Sequence, residues 1–309
     1  MTEDQIKKQI AALQAQLEEI RAGKVDEIDV IQYENEAERE KLHQEDLQRI
    51  RGFRLIDDDF MNACFDGDIE GTELLLHIIL GRPDIKVLNV KTQKLMKNLL
   101  GRDIWLDIDA TDDSGQDFDI EIQRADRGAS YKRARYHSSI LDAHLLRPKD
   151  DFSKLPETYV IFITENDVIG RGEPIYTIER MITNINEPFN DGEHIIYVNG
   201  EDKNSATELG KLMHDFFCTN PDEMHYKHLA DKVRYYKENE KGVAAMCRVM
   251  EEMRKEAAEK AAEKAAKEAT ERTKIELAIN MIKDGTLSLE QIAQYSMLAL
   301  EQVQQLAAA

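Results

Sequence analysis

Residues 105–123 constrain the fold of this chain more than any other stretch. Trp105-Leu-Asp-Ile-Asp109 and Phe118-Asp-Ile-Glu-Ile-Gln123 both alternate apolar and polar side chains, the period of a β-strand. Between them, Asp112-Asp-Ser-Gly-Gln116 supplies turn formers and a glycine free to take positive φ. With Ser114 at the midpoint, Asp107 falls opposite Glu121 and Asp109 opposite Asp119. Side chains facing each other across such a ladder lie about 5 Å apart. Several carboxylates then share one patch, which is unfavourable unless a cation sits among them.

The flanking segments predict an α/β domain. Asp57-Asp-Asp59 can cap a helix carrying Phe60, Met61, Cys64 and Phe65. Helix continues over Glu73–Leu80 and stops at Gly81-Arg-Pro83. A second helix is expected over Thr92–Leu100. After the hairpin, Ala129–Leu146 reads as a long helix and Thr158-Tyr-Val-Ile-Phe-Ile-Thr164 as a strand covered on both faces. Strand, helix and strand in that order imply a right-handed crossover and a parallel pair. Ile175–Ile178 and His194–Asn199 read as further strands, so the middle of the chain is a mixed sheet flanked by helices.

Both ends are helical. Ile6, Ile10, Leu13, Leu17 and Ile20 repeat with coiled-coil spacing, which suits either a homodimer seam or an arm packed on its own domain. Glu256-Ala-Ala-Glu-Lys-Ala-Ala-Glu-Lys264 has the composition of a solvated helical spacer. Ile275–Leu306 reads as a helical hairpin, with Gly285 ending one helix and Ser288-Leu-Glu-Gln291 capping the next. Leu298–Leu306 carries no Lys or Arg, so docking or oligomerisation fits this tail better than reading DNA. The organisation is thus an arm over 1–50, a core over 51–240, a charged linker over 241–274 and a hairpin over 275–309.

Net charge is −20 over 309 residues, which does not mark an obvious nucleic-acid binder. The charge is uneven, however. Residues 124–137 hold Arg124, Arg127, Lys132, Arg133, Arg135 and His137 against the single acid Asp126. A basic helix beside an acidic hairpin can grip a phosphate backbone; the bland alternative is a solvated charge network. Three scattered cysteines do not make a disulfide framework and suit a reducing cytoplasm. No apolar run is long enough for a membrane span.

Magnesium takes oxygen ligands from one or two carboxylates, with water and substrate phosphate completing its shell. Asp107, Glu121 and the main-chain carbonyl of Ile122 could supply the protein share, and the Gln123 amide could orient a water. Such a set suits phosphodiester hydrolysis. Other constellations point less sharply. His214, Cys218, His225 and His228 have zinc-compatible types but loose spacing, which favours capping and packing roles. Glu165-Asn-Asp167 follows the buried strand at its carboxyl end, where a plain loop is as good a reading as a site. Trp105 shares a strand face with Asp107 and is expected to pack rather than to stack a base. Asp109 and Asp119 are explained as well by exposed edge positions as by a larger acidic patch. No phosphate-cradling glycine loop or serine elbow is present.

Asp107, a short gap, and Glu121-Ile-Gln123 resemble the core of the PD-(D/E)xK nucleases, and specifically the PD-(D/E)xK nuclease family transposases, relatives of the recombination-promoting nucleases. The resemblance extends through Asp58-Asp-Phe-Met61, Asp119-Ile-Glu-Ile-Gln-Arg-Ala125, Lys132-Arg-Ala-Arg-Tyr136, 155–167, Asp191–Gly200 and Leu209–Asp215. It covers about residues 54–255. It implies a restriction-endonuclease-like α/β core with helical extensions and Mg²⁺- or Mn²⁺-dependent DNA cleavage. Asp107 and Glu121 would be metal ligands, and Gln123 would stand where the motif has lysine. Asp58 or Asp59 would supply an extra acid. Arg124, Lys132, Arg133 and Arg135 are candidate phosphate contacts. Leu106 replaces the motif's proline, and Gln123 removes a positive charge. The competing expectation is a catalytically weak DNA- or protein-binding module.

Overall fold

The computed structural model describes residues 36–98, 101–124 and 126–308. The coiled-coil seam expected over Ile6–Ile20 lies outside these residues. Helices α1 (Glu36–Gly52), α2 (Asp58–Phe65) and α3 (Ile69–Leu80) lead into strands β1 (Val87–Met96), β2 (Ile104–Asp112) and β3 (Asp117–Gln123). Helix α4 (Tyr131–Leu145) crosses to β4 (Thr158–Thr164). Strands β5 (Ile175–Ile178), β6 (Met181–Ile182), β7 (Glu187–Pro188) and β8 (Glu193–Asn199) follow. The chain ends in helices α5 (Glu208–Phe217), α6 (Lys227–Glu238), α7 (Glu240–Asp284), α8 (Leu289–Ser296) and α9 (Leu300–Ala308).

Six strands form one mixed sheet in the order β1-β2-β3-β4-β8-β5, and β6 pairs with β7 as a separate ribbon. The β2/β3 hairpin is antiparallel with Asp109 opposite Asp119, as the turn chemistry predicts. β3 pairs parallel with β4 across the α4 crossover. β4 is buried along its whole length, which explains its near-continuous apolar sequence.

β3 sorts its side chains between two layers. Phe118, Ile120 and Ile122 enter the larger core, with Phe60, Phe65, Leu75, Leu76 and Phe216 from the helices. Asp119 and Glu121 alternate with them and turn toward α4, where they meet His137 and Arg133. Around that polar pair, α4 covers the sheet with Ala134 against Val160 and Phe162, and with Ile140 and Leu141 against Ile104 and Leu106. Ser130 caps α4, its hydroxyl accepting from the Arg133 amide.

Two local expectations fail. The helix expected over Thr92–Leu100 is strand β1 as far as Met96, in register with β2 from Val87↔Asp112 to Met96↔Ile104. The lysines and glutamine here favour helix locally, but a long ladder satisfies the backbone, and buried Val87, Val90 and Met96 anchor it. Asp57 stands at the start of α2 without capping it through its side chain. Its carboxylate accepts from the Arg54 amide and guanidinium instead.

At the C-terminal end, α7 runs unbroken for 45 residues and stops where Gly285 takes φ 70°. Ser288 and Gln291 complete the expected capping box. The hairpin expected there becomes three helical segments, because Met297 takes a left-handed conformation between α8 and α9. Ala278, Ile292, Leu298 and Val303 form its small core. Among the described residues no helix is long and apolar enough to cross a membrane.

Candidate active site

The β2/β3 ladder ends at Ile108↔Ile120, and side chains satisfy the backbone just beyond it. The Asp107 amide donates to Glu121 Oε1 at 3.2 Å, and the Ile122 amide donates to Asp107 Oδ2 at 2.9 Å. Both carboxylates therefore bond across the end of the hairpin. Gln93 on the edge strand takes φ 50° and directs its amide to Asp107 Oδ1 at 3.4 Å and Asn62 Oδ1 at 3.3 Å.

Helix α4 supplies the opposite wall. Arg133 donates from Nη2 to Glu121 Oε2 at 2.7 Å and from Nη1 to Gln123 Oε1 at 3.2 Å. Nη1 also reaches the Gly128 carbonyl at 3.1 Å, and Nε reaches His137 Nε2 at 3.2 Å. His137 Nδ1 faces Asp119 Oδ2 at 2.9 Å. Residues 133 and 137 stand one turn apart, so one face of α4 presents both groups to the acidic side of β3. Lys94 binds Asp109 Oδ2 at 2.7 Å.

Burial dominates the electrostatics. It pushes the Asp107 carboxyl up to about 6, with the Ile122 amide pulling the other way and Asp58 adding to the rise. Burial also holds Asp119 and Glu121 well above the usual carboxylate range, and at Glu121 the charges of Asp119 and Asp107 add to it. It pushes His137 down, so the imidazole is neutral near pH 7. With Nε2 accepting from Arg133, Nδ1 carries the proton toward Asp119.

Among the described residues no donor reaches the buried Asp109 Oδ1 and Asp119 Oδ1. Asp119 and Glu121 also each place a carboxylate oxygen within 4.8 Å of the other. Four carboxylates meet two side-chain cations, and the orphaned oxygens and oxygen-rich donor set fit a divalent cation. Asp109 and Asp119 are buried, so of the two alternatives for them the exposed edge position does not hold. His137 as the partner of Asp119 and neighbour of Glu121 went unread in the sequence; the four-residue step from Arg133 to His137 is the signal that could have found it.

An open cleft of about 660 Å³ runs along the end of β3, lined among others by Arg49, Arg54, Asp58, Gln123 and Arg124. Asp58 adds to the charge felt by Asp107, whereas the leading charged neighbour of Asp59 is Glu256 on α7. Arg124 pairs with Asp57 at 3.0 Å and Glu165 at 3.7 Å, and Arg54 with the same two acids at 3.1 and 3.5 Å. Glu165, for which a plain loop and a site are equal expectations, thus pairs with two arginines that line the cleft. Lys132 and Arg135 are exposed on α4, while Arg133 turns inward. Trp105 is 54 % exposed opposite Leu95, against the expectation that it packs.

The zinc-compatible set does not assemble as a group of four. His228 is held by Asp68 at 2.9 Å, and the Cys218 thiol contacts the Asn220 carbonyl. His214 and His225 do approach Asp215, whose carboxylate accepts from the amides of His225 and Tyr226, both at 2.8 Å.

Residues 72–278 match the family model described as PD-(D/E)XK nuclease family transposase. The match begins within α3, so Asp57, Asp58 and Asp59 lie outside it. Comparison with curated proteins finds no match, and comparison with solved structures finds none either. With about two thirds of its length matched and a six-stranded mixed sheet flanked by helices, the chain belongs to the PD-(D/E)XK nuclease family transposases.

Proposed function

We propose that this chain is a divalent-metal-dependent DNA endonuclease, with Mg²⁺ or Mn²⁺ as its ion. The observation that carries this reading is the meeting of Asp107 and Glu121 at the open end of the β2/β3 ladder. In this reading Asp107, Glu121 and the Ile122 carbonyl hold the ion. When bound, such an ion lowers the pKa of a coordinated water and offsets the charge that develops on the phosphoryl oxygens. The Gln123 amide, fixed by Arg133 at its oxygen and 3.5 Å from Glu121 Oε2 through its nitrogen, orients the attacking water. Asp58 adds an acid from α2. Arg124, Lys132 and Arg135 contact phosphates flanking the scissile bond. Hydrolysis then joins the water oxygen to phosphorus and releases one ester oxygen.

Purified wild type is expected to nick supercoiled plasmid with Mg²⁺ or Mn²⁺, and Asp107→Asn and Glu121→Gln are each expected to abolish nicking. Nicking by either variant at the wild-type rate would remove that residue from the mechanism. DNA binding by a wild type that binds no divalent ion and cuts nothing would favour the binding-module reading.

A further inference from the structure

Position 123 is glutamine, so the strand that carries Glu121 brings no positive charge to the reacting phosphate. The structure assigns that charge to Arg133, which reaches the same point from α4; this inference rests on the nuclease reading above.

The guanidinium lies at the tip of the Gln123 side chain, 3.2 Å from Oε1, and at the same time 2.7 Å from Glu121 Oε2. A lysine at position 123 would extend its ammonium into this neighbourhood. Arg133 is held there by four hydrogen bonds, to Glu121, Gln123, the Gly128 carbonyl and His137. A guanidinium has five N–H donors, so among the described residues one is left for an incoming oxygen. The side chain is 36 % exposed, so that donor has a route to substrate.

The hold on Arg133 is itself built. His137 accepts from Arg133 Nε because its other nitrogen points its proton at Asp119. Asp119 and His137 are therefore positioning residues that act through Arg133. A donor fixed before substrate arrives stabilises developing charge without reorganising. A purely structural ion pair would account for the Glu121 contact. It would not account for the bonds to Gln123 and His137, which fix the direction of the fork as well as its charge.

Single-turnover cleavage, Mn²⁺ affinity and DNA affinity of Arg133→Ala, Arg133→Lys and the double variant Gln123→Lys/Arg133→Ala test this assignment. Arg133→Ala is expected to slow cleavage about 100-fold. Its Mn²⁺ affinity should equal or exceed that of wild type, because Glu121 loses a competing cation. Its DNA affinity should stay within about threefold. Arg133→Lys keeps the charge but loses the fork and should fall between. The double variant should recover at least about tenfold over Arg133→Ala.

Wild-type cleavage by Arg133→Ala overturns the assignment. So does a rate loss matched by an equal loss of Mn²⁺ affinity, which is the mark of a structural pair, or a double variant no faster than Arg133→Ala. A wild type that cuts no DNA with any divalent ion overturns the nuclease reading and this inference together, whereas the other outcomes leave the nuclease reading intact.

Discussion

The main-chain amide of Asp107 donates to the carboxylate of Glu121 across the hairpin at 3.2 Å. This bond replaces a rung of the ladder, which stops one residue pair earlier. It ties the two acids to the end of the sheet and sets the geometry on which the proposed chemistry depends.

The buried acids make stability depend on pH and metal. An unfolded aspartate titrates near 3.8, while burial raises Asp107 to about 6 and also raises Asp119 and Glu121. A raised folded pKa gives stability that is complete below the unfolded value and lost as pH rises through the folded one. The metal-free protein should therefore melt at progressively lower temperature as pH rises from about 4 through 6, on the order of a few degrees. Added Mn²⁺ should oppose the loss more strongly at higher pH, because ionised carboxylates are the ligands. Thermal melts in EDTA and in Mn²⁺ read both effects, and flat curves in EDTA would contradict the assignment of burial as their cause. Asp107→Asn should flatten the fall between about pH 4 and 6.

Gly128 leaves room for the Gln123 amide. A Cβ at this position would collide with Gln123 Oε1, the atom that accepts from Arg133. The end of a glutamine side chain moves easily, so Gly128→Ala should leave the unfolding midpoint nearly unchanged. Cleavage should fall about tenfold or more, since it depends on the amide's direction. Parallel urea titrations and nicking rates separate these outcomes. A large loss of stability with unaltered specific activity would place Gly128 in the fold rather than the site.

Lys237 anchors the chain segment that enters α2. Its ammonium donates to the carbonyls of Arg51, Phe53 and Thr219 at 3.0, 2.5 and 2.6 Å. Lys237→Met keeps most of the buried stem but strands three carbonyls, which should cost about 3 kcal/mol. Because Arg54 and Asp57 follow directly on this segment, the rim of the cleft should loosen as well. Urea denaturation measures the first effect and salt-dependent DNA binding the second; a change under about 0.5 kcal/mol would mean that water replaces the lysine.

The amino-acid sequence by itself determined the elements whose signals are local. The alternation and glycine turn specified the acidic hairpin and its register, because a one-residue slip would move every side chain to the other face. The apolar run of β4 specified a doubly covered strand, and Gly285 and Ser288 marked helix ends through backbone geometry and capping. Only the tertiary structure decided the rest. From Thr92 onward β1 is a strand because β2 offers it a ladder, although those residues lean toward helix. Arg133 and His137 face Glu121 and Asp119 because packing of Ala134, Ile140 and Leu141 fixes the rotation of α4 on the sheet. That rotation is a long-range property: it turns one arginine of a basic run inward and leaves Lys132 and Arg135 in solvent.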